Sequence, residues 1–174
     1  MLRFLLILSV GILFSACLPN SLIINDVKKE PKELTSETIS KIAIPVREQG
    51  YSHFKTQILK SQGELDKFIE KIKLQSNWNK KENFLETLLL KKIDFSKYNL
   101  FLYRISMASG STVLSVDVPL GDKNDISIKI GQDKPDLGTA DMAYYALAYK
   151  IAKSVKTITI DNGTEKTVIE NKNE

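Results

Sequence analysis

The chain has 174 residues, of which 43% are hydrophobic and 26% charged, which is enough for one packed domain. Its 25 basic and 21 acidic residues give a formal net charge of +4 and are interspersed along the sequence. This pattern indicates a solvated surface and argues against a nucleic-acid partner, which would require a clustered basic face.

The amino terminus contains an apolar run, residues 2–16, with one charge at Arg3 and two small residues before Cys17. The run is shorter than the roughly 20 apolar residues of a membrane-spanning helix. Its order of charge, apolar core and small residues is typical of a secretory signal. A buried or free thiol is the alternative explanation of Cys17, although an ordinary signal peptide needs no cysteine at this place.

The stretch Phe14-Ser15-Ala16-Cys17 resembles the cleavage box of bacterial lipoprotein signals, in which a small residue precedes the cysteine. The resemblance implies diacylation of the Cys17 thiol, cleavage after Ala16 and acylation of the new amino terminus. Several acyl chains would anchor the protein in a bilayer, since one chain alone binds only marginally. The resemblance also implies an outer-membrane location facing the periplasm, because Leu18 rather than aspartate follows the cysteine.

Residues 17–40, which begin at the lipidated cysteine, contain two prolines and many polar residues without a sustained period. This composition predicts a flexible tether with a reach of about 25 to 30 Å. The apolar patch at residues 22–24 is open to a second interpretation as an added strand. The predicted organisation is a signal peptide at residues 1–16, the tether, and one domain at residues 41–174 that contains no cysteine.

The predicted domain begins with two strands. Ile42, Ile44 and Val46 alternate with smaller residues, and Pro45 places this strand at a sheet edge. The next stretch, residues 51–60, alternates as a half-buried strand does. Its predicted inner face contains Phe54, Thr56 and Ile58, and its polar face contains His53, Lys55 and Gln57.

Two helices are predicted next. Ser61 and Glu64 have the spacing of a capping box, which satisfies free amides at a helix start. The apolar stripe that follows consists of Leu65, Phe68, Ile69 and Ile72. The second helix begins near Asn79 or Lys80, and its predicted inward residues are Phe84, Leu85, Leu88 and Leu89.

From Ile93 onward apolar residues recur at every second position, as they do in strands. The segments "YNLFLYRIS", "STVLSVDVPL" and "DISIKIG" are separated by short turn sequences, which predicts an antiparallel meander. Residues 142–153 alternate as a strand does, although their alanines also suit a helix; we prefer the strand because of the tyrosines. Asn162-Gly163 predicts a final hairpin. The fold class is therefore α+β, with two helices on a twisted antiparallel sheet of five to seven strands.

The order of these pieces between Phe54 and Ile160 resembles the carboxy-terminal domain of PrcB-like protease-complex subunits. The similar pieces are "ILKSQGELDKF", "IDFSKYNLFLY" and "YKIAKSVKTITI". The resemblance covers about two thirds of the chain. It implies a small α+β domain, secreted or lipid-anchored, that binds and supports a protease. The glycine-rich stretch usual in that family after the central strand is reduced here to Ser109-Gly110-Ser111.

The reactive residues do not form a catalytic pattern. His53 is the only histidine and has polar neighbours in its predicted strand, so nothing indicates a Ser-His-Asp site. Aspartate-containing turns could hold calcium, but they lack the glycine and distal glutamate of the loop motif and favour ordinary turn chemistry. These turns contain Asp122, Asn124 and Asp125 in one loop and Asp133, Asp136 and Asp141 in the other. We expect no cofactor and no metal.

Two functions remain open. The first is a lipid-anchored, monomeric, non-catalytic module that presents a sheet edge or its tyrosines to an envelope protein, and this is the function we expect. The tyrosines are Tyr144, Tyr145 and Tyr149. The second is an envelope hydrolase in which Ser109 or Ser111 is activated by a lysine of lowered pKa.

Overall fold

The computed structural model describes residues 32–172. The strands of this part are β1 (Lys32–Glu33), β2 (Ile39–Ile42), β3 (Gln57–Leu59), β4 (Tyr98–Met107), β5 (Val113–Val116), β6 (Leu120–Gly121), β7 (Asp125–Asp133), β8 (Ala143–Ala152), β9 (Thr157–Asp161) and β10 (Lys166–Glu170). The helices are α1 (Gln62–Lys73), α2 (Lys81–Leu90) and a 3₁₀ helix at Gln49–His53. Regular structure begins before residue 41, because β1 and the start of β2 lie in the segment predicted as a tether.

The strands form two sheets. One has four antiparallel strands in the order β2-β8-β4-β3. The other has six strands on the path β1-β6-β7-β9-β10, with β5 also paired to β7, and its β7–β9 pair is parallel. The α+β class, with two helices on an antiparallel sheet, is confirmed. The single sheet of five to seven strands is replaced by ten strands in two sheets.

The four-stranded sheet is the middle of three layers. Along β4, Leu100 and Leu102 pack with the helices, whereas Phe101 and Tyr103 pack against the other sheet. The same alternation occurs along β8, where Ala146 and Ala148 face the helix side and Leu147, Tyr149 and Ile151 face the second sheet. Both central strands are therefore buried on both faces.

The first helix forms as predicted. Ser61 Oγ accepts a hydrogen bond from the N–H of Glu64 at 3.2 Å, and Glu64 Oε2 accepts one from the N–H of Lys60 at 2.6 Å. The return bond thus reaches the residue before the cap and holds the junction between β3 and α1. The whole predicted stripe is buried, namely Leu65, Phe68, Ile69 and Ile72.

The second helix begins at Lys81, beside its predicted start. Phe84, Leu85 and Leu88 are buried as predicted, but Leu89 is 51% exposed. A helix turns by about 100° per residue, so one more leucine after Leu88 falls beyond the face that the sheet covers. The prediction for Leu89 was wrong because it extended the apolar face by one position.

The predicted edge strand at residues 42–46 is largely replaced by irregular structure. The regular strand β2 ends at Ile42, the first residue of the predicted strand, and β-pairing with β8 resumes only at a single bridge between Arg47 and Tyr145. Pro45 has no N–H with which to continue a ladder. Ile44 is buried at 8% exposure and belongs to the core on the helix side. The prediction that this region lies at a sheet edge is correct, but the regular strand there is β2, which begins and ends earlier than predicted.

Residues 51–60 form the end of the 3₁₀ helix and the short strand β3 instead of one strand. Tyr51 is fully buried, its hydroxyl donates to the carbonyl of Pro45, and its ring makes edge contacts with Phe54, Trp78 and Phe84. The packing of this aromatic cluster, and not the alternation of apolar and polar residues, decides the local structure here. His53 is exposed, at the end of the 3₁₀ helix.

The predicted meander is wrong at its first connection. β4 pairs with β3 and β8, whereas β5 pairs with β7, so residues 108–112 cross from one sheet to the other. The next predicted turn does join β6 and β7 as a hairpin, with Leu120 opposite Ser127. Gly121 has a φ of 142° in this turn, which favours glycine.

The last three strands agree with the predictions. Residues 143–152 form the strand β8 and not a helix. β9 and β10 form an antiparallel hairpin around Asn162 and Gly163, and Gly163 has a φ of +80°. The loop between the two strands has four residues, 162–165, and within it the N–H of Asn162 donates to the carbonyl of Glu165 at 3.2 Å. Within residues 32–172, neither helix has the length and apolar character to cross a bilayer.

Candidate functional site

The predicted lipid anchor, Cys17, and the apolar patch at residues 22–24 lie outside the described residues. The remaining predicted site residues can be placed. They fall into four groups, which are the tyrosines of β8, the serine loop, the aspartate turns and the sheet edges. The geometry of each group decides which of them offers a binding surface.

The tyrosines of β8 are core residues and do not form an exposed platform. Tyr145 is buried, and its hydroxyl donates to the carbonyl of Thr112 at 2.5 Å. Tyr149 is 1% exposed, and burial raises the pKa of its phenol to about 12. Tyr144 is partly buried beneath the guanidinium of Arg104, 5.1 Å from the ring centre. A partner therefore cannot reach these three rings together.

The serine loop is held together by hydrogen bonds. Ser109 Oγ accepts from the N–H groups of Ser111 and Thr139, at 3.3 and 3.1 Å. Lys134 lines the same pocket as Ser109 but is exposed. A lysine becomes a general base when burial removes its charge, so an exposed lysine offers no activation of this kind. The loop has the geometry of a structural connection.

Three aspartates of the predicted calcium turns, Asp122, Asp125 and Asp141, accept hydrogen bonds from the protein. Asp122 Oδ1 accepts from the N–H groups of Asn124 and Asp125, at 2.7 and 3.0 Å. Asp141 Oδ1 accepts from the N–H of Gly110 at 3.1 Å. Within residues 32–172, no three histidine, cysteine, aspartate or glutamate side chains come together as a metal site. Asp122 and Asp141 thus use their carboxylates as acceptors for backbone N–H groups.

The sheet edges differ in what surrounds them. The four-stranded sheet ends at β2 on one side and at β3 on the other. Among the strands of residues 32–172, β2 pairs with β8 alone and is also an edge, but within the predicted contact at residues 42–46 the regular strand ends at Ile42 and Ile44 is buried. β3 pairs with β4 alone among the described strands, so its outer side is an open edge.

A groove runs between β3 with its preceding residues and one face of α1. We name it the β3–α1 groove, and its volume is about 550 Å³. It is lined by residues that include Lys55, Ile58, Leu59, Lys67, Phe68 and Lys71. Leu59 and Phe68 are each 6% exposed and give the groove an apolar floor. The groove lies directly beside the open edge of β3, and it is larger than the groove of about 290 Å³ beside the other edge strand, β2.

The rim of the β3–α1 groove is predominantly basic. Lys55, Lys67 and Lys71 line it and are exposed. The acidic residue in the lining, Glu64, already accepts a hydrogen bond from the N–H of Lys60. The sequence contained a signal for this site, because Lys67 and Lys71 lie four residues apart beside the apolar stripe of α1. We did not predict the site from it, since exposed lysines are common on amphipathic helices.

Comparison with known proteins gives no relative: no protein-family model, no curated protein and no solved structure matches this chain.

Proposed function

We propose that this protein is a bacterial envelope lipoprotein, anchored through acylated Cys17, whose domain is a non-catalytic binding module for a protein partner. The observation that carries the proposal is the β3–α1 groove beside the open edge of β3. An extended segment can add a strand to such an edge, with backbone hydrogen bonds for affinity and pockets for its side chains. A protease is the partner that the resemblance to PrcB-like subunits favours.

The anchoring part of the proposal rests on the pattern before Cys17. Its test is Cys17→Ser in the full-length precursor. The variant should retain its full mass and incorporate no labelled palmitate, because the thiol is the acceptor of the lipid. Wild-type protein should lose residues 1–16 and take up the label. Wild-type protein that keeps its full length and takes up no lipid would refute the anchor.

The binding part can be tested by photo-crosslinking in intact cells. A photoreactive residue replaces His53, which is exposed and lines the groove, and in a separate strain it replaces Val168, which is 61% exposed on β10 at the far edge of the other sheet. Both positions are exposed, so neither change should unfold the domain. We expect one discrete protein adduct from position 53 and none from position 168. Adducts from position 168 alone, or from neither position, would overturn the proposed binding site.

The absence of catalysis is tested separately with the purified full chain. Generic esterase, peptidase and phosphatase substrates should not be turned over. Turnover that disappears with Ser109→Ala, Ser111→Ala or Lys134→Ala would establish the hydrolase alternative. Ser127→Ala, at an exposed position of β7, is the matched control for a serine outside the loop.

A further inference from the structure

We propose that the β3–α1 groove selects an acidic extended segment, with carboxylates at alternate positions facing Lys67 and Lys71. This inference rests on the proposed function, because it specifies the chemistry of the segment that adds to β3. The partner is thus a protein chain with a stretch in which acidic and apolar residues alternate.

The first argument is that the groove lysines make no ion pair within residues 32–172, although Glu64 also lines the groove. Elsewhere on the helical layer, Lys73 Nζ lies 2.8 Å from Glu70 Oε1, and Lys81 Nζ bonds the carbonyl of Gln75 at 2.9 Å. By contrast, Lys55, Lys67 and Lys71 make no ion pair with any residue of the described part of the chain. Three exposed cations thus line one groove without an internal partner.

The second argument concerns spacing. Lys67 and Lys71 are separated by four residues of α1, a rise of about 6 Å along the helix. In an extended segment, residues two apart lie on the same face and are separated by about 6.6 Å. Two acidic side chains at alternate positions therefore match the two ammonium groups. The intervening side chains point the other way, away from α1.

The third argument is the shape of the site. A flat anionic membrane surface binds cations that project outward. Here the three lysines line a concavity with Leu59 and Phe68 at its floor, beside a strand edge that has unpaired backbone groups. This combination of an open edge and a basic rim in a concavity fits a peptide strand whose acidic side chains face α1. It gives a lipid bilayer little to contact beyond the lysine tips.

The test uses the full chain in detergent and fluorescent octapeptides in which valine alternates with glutamate, glutamine or lysine. Binding is measured by anisotropy. We expect the glutamate peptide to bind and the glutamine peptide to bind at least about tenfold more weakly. Added salt should weaken the glutamate peptide much more than the glutamine peptide, because exposed charges are screened.

The charge of the groove is then reversed with Lys67→Glu and Lys71→Glu together. Affinity for the glutamate peptide should fall at least about tenfold, and the lysine peptide should now bind. The matched control is Lys91→Glu with Lys123→Glu, which makes the same change in net charge at exposed positions outside the groove. This control should retain the preference for glutamate. Circular dichroism and melting confirm that both double variants are folded.

Strand addition is separated from charge selection by methylating alternate backbone nitrogens of the glutamate peptide. One methylation register should abolish binding and the other should not, because only one set of N–H groups faces β3. If one register blocks binding but glutamate and glutamine peptides bind equally, the acidic selection is wrong and the proposed function stands.

Other outcomes also decide the question. If neither register matters, strand addition itself is wrong. A further outcome is that no peptide binds but phosphatidylglycerol vesicles do, and that vesicle binding is lost in the Lys67→Glu, Lys71→Glu variant. The lysines would then bind a membrane surface, and the inference would be overturned. Absence of binding to every peptide and vesicle overturns it as well.

Discussion

The two sheets bury their strands differently. In the four-stranded sheet, β4 and β8 are each covered by helices on one face and by the second sheet on the other. In the six-stranded sheet, β7 alternates buried and exposed residues from Asp125 to Ile130. The sequences show the same contrast, since "LFLY" at residues 100–103 is a continuous apolar run and "DISIKI" alternates. Apolar density along a strand thus reports how many layers cover it.

The largest expected effect is the loss of folding stability when adjacent buried residues of β4 are truncated, and it tests this contrast. Phe101→Ala and Leu102→Ala should each be costly, about 3 to 5 and 2 to 5 kcal/mol respectively, because both side chains are fully buried on opposite faces of β4. On β7, Ile128→Ala should be similarly costly, whereas Ser127→Ala should lie within about 0.5 kcal/mol of wild type. Urea midpoints measure all four. A harmless Leu102→Ala would show that the helices do not cover this face.

The next effect concerns the aromatic cluster on the helix side. A Cβ at Gly50 would lie 1.7 Å from the indole of Trp78, so Gly50→Ala should cost about 1 to 3 kcal/mol through overpacking. Trp78 is the only tryptophan, and its fluorescence should shift in the folded variant. Gly63→Ala is the control, since a Cβ there meets nothing within 4 Å and alanine favours a helix. Equal stability of the two variants would contradict the packing of Trp78 on Gly50.

The sequence predicted local elements well where one local rule acts. The capping serine and apolar stripe of α1, the strand β8 and the hairpin at Asn162-Gly163 follow from capping, β-propensity and turn chemistry. The 3₁₀ helix at Gln49–His53 was missed, because the packing of Tyr51 against distant Phe84 and Trp78 decides it. The spacing of apolar residues along the sequence carries no information about a contact between residues so far apart.

The division into two sheets was missed for a related reason. Strand period identifies β4 and β5 but does not say that the chain between them crosses from one sheet to the other. The continuous apolar runs of β4 and β8 were the available signal, since strands buried on both faces need two covering layers. The β3–α1 groove also required the structure, because Lys55 joins Lys67 and Lys71 only when β3 and α1 lie together.

A smaller effect tests the start of the helical layer. Ser61→Ala should cost about 1 kcal/mol, because the N–H of Glu64 loses its acceptor. Ser61→Asp should retain most of the stability, since aspartate is an equally good cap. Phe68→Ala on the same helix should cost about 3 to 5 kcal/mol through a cavity. Denaturant midpoints in which Ser61→Ala and Phe68→Ala are both negligible would mean that α1 is not a packed helix.

The smallest effect lies at the crossing between the two sheets, where Asp141 holds the loop of Gly110. The hydrogen bond from the side chain of Thr139, with contributions from the N–H of Gly110 and the charge of Arg47, lowers the pKa of Asp141 below its ordinary value. A carboxyl whose pKa is lower in the folded state stabilises the protein above its unfolded pKa of about 3.9 and loses this contribution as pH falls.

Asp141→Asn should therefore be less stable than wild type near neutral pH, and the gap should close as the pH drops through the folded pKa of Asp141. The gap should be small, because Asp141 is exposed and its ion pair with Arg47 is screened by water. Urea midpoints across this pH range measure the gap, and NMR titration of the Asp141 carboxyl gives its folded pKa. A carboxyl that titrates at or above the ordinary aspartate value would show that the loop between the sheets is not tied at this residue.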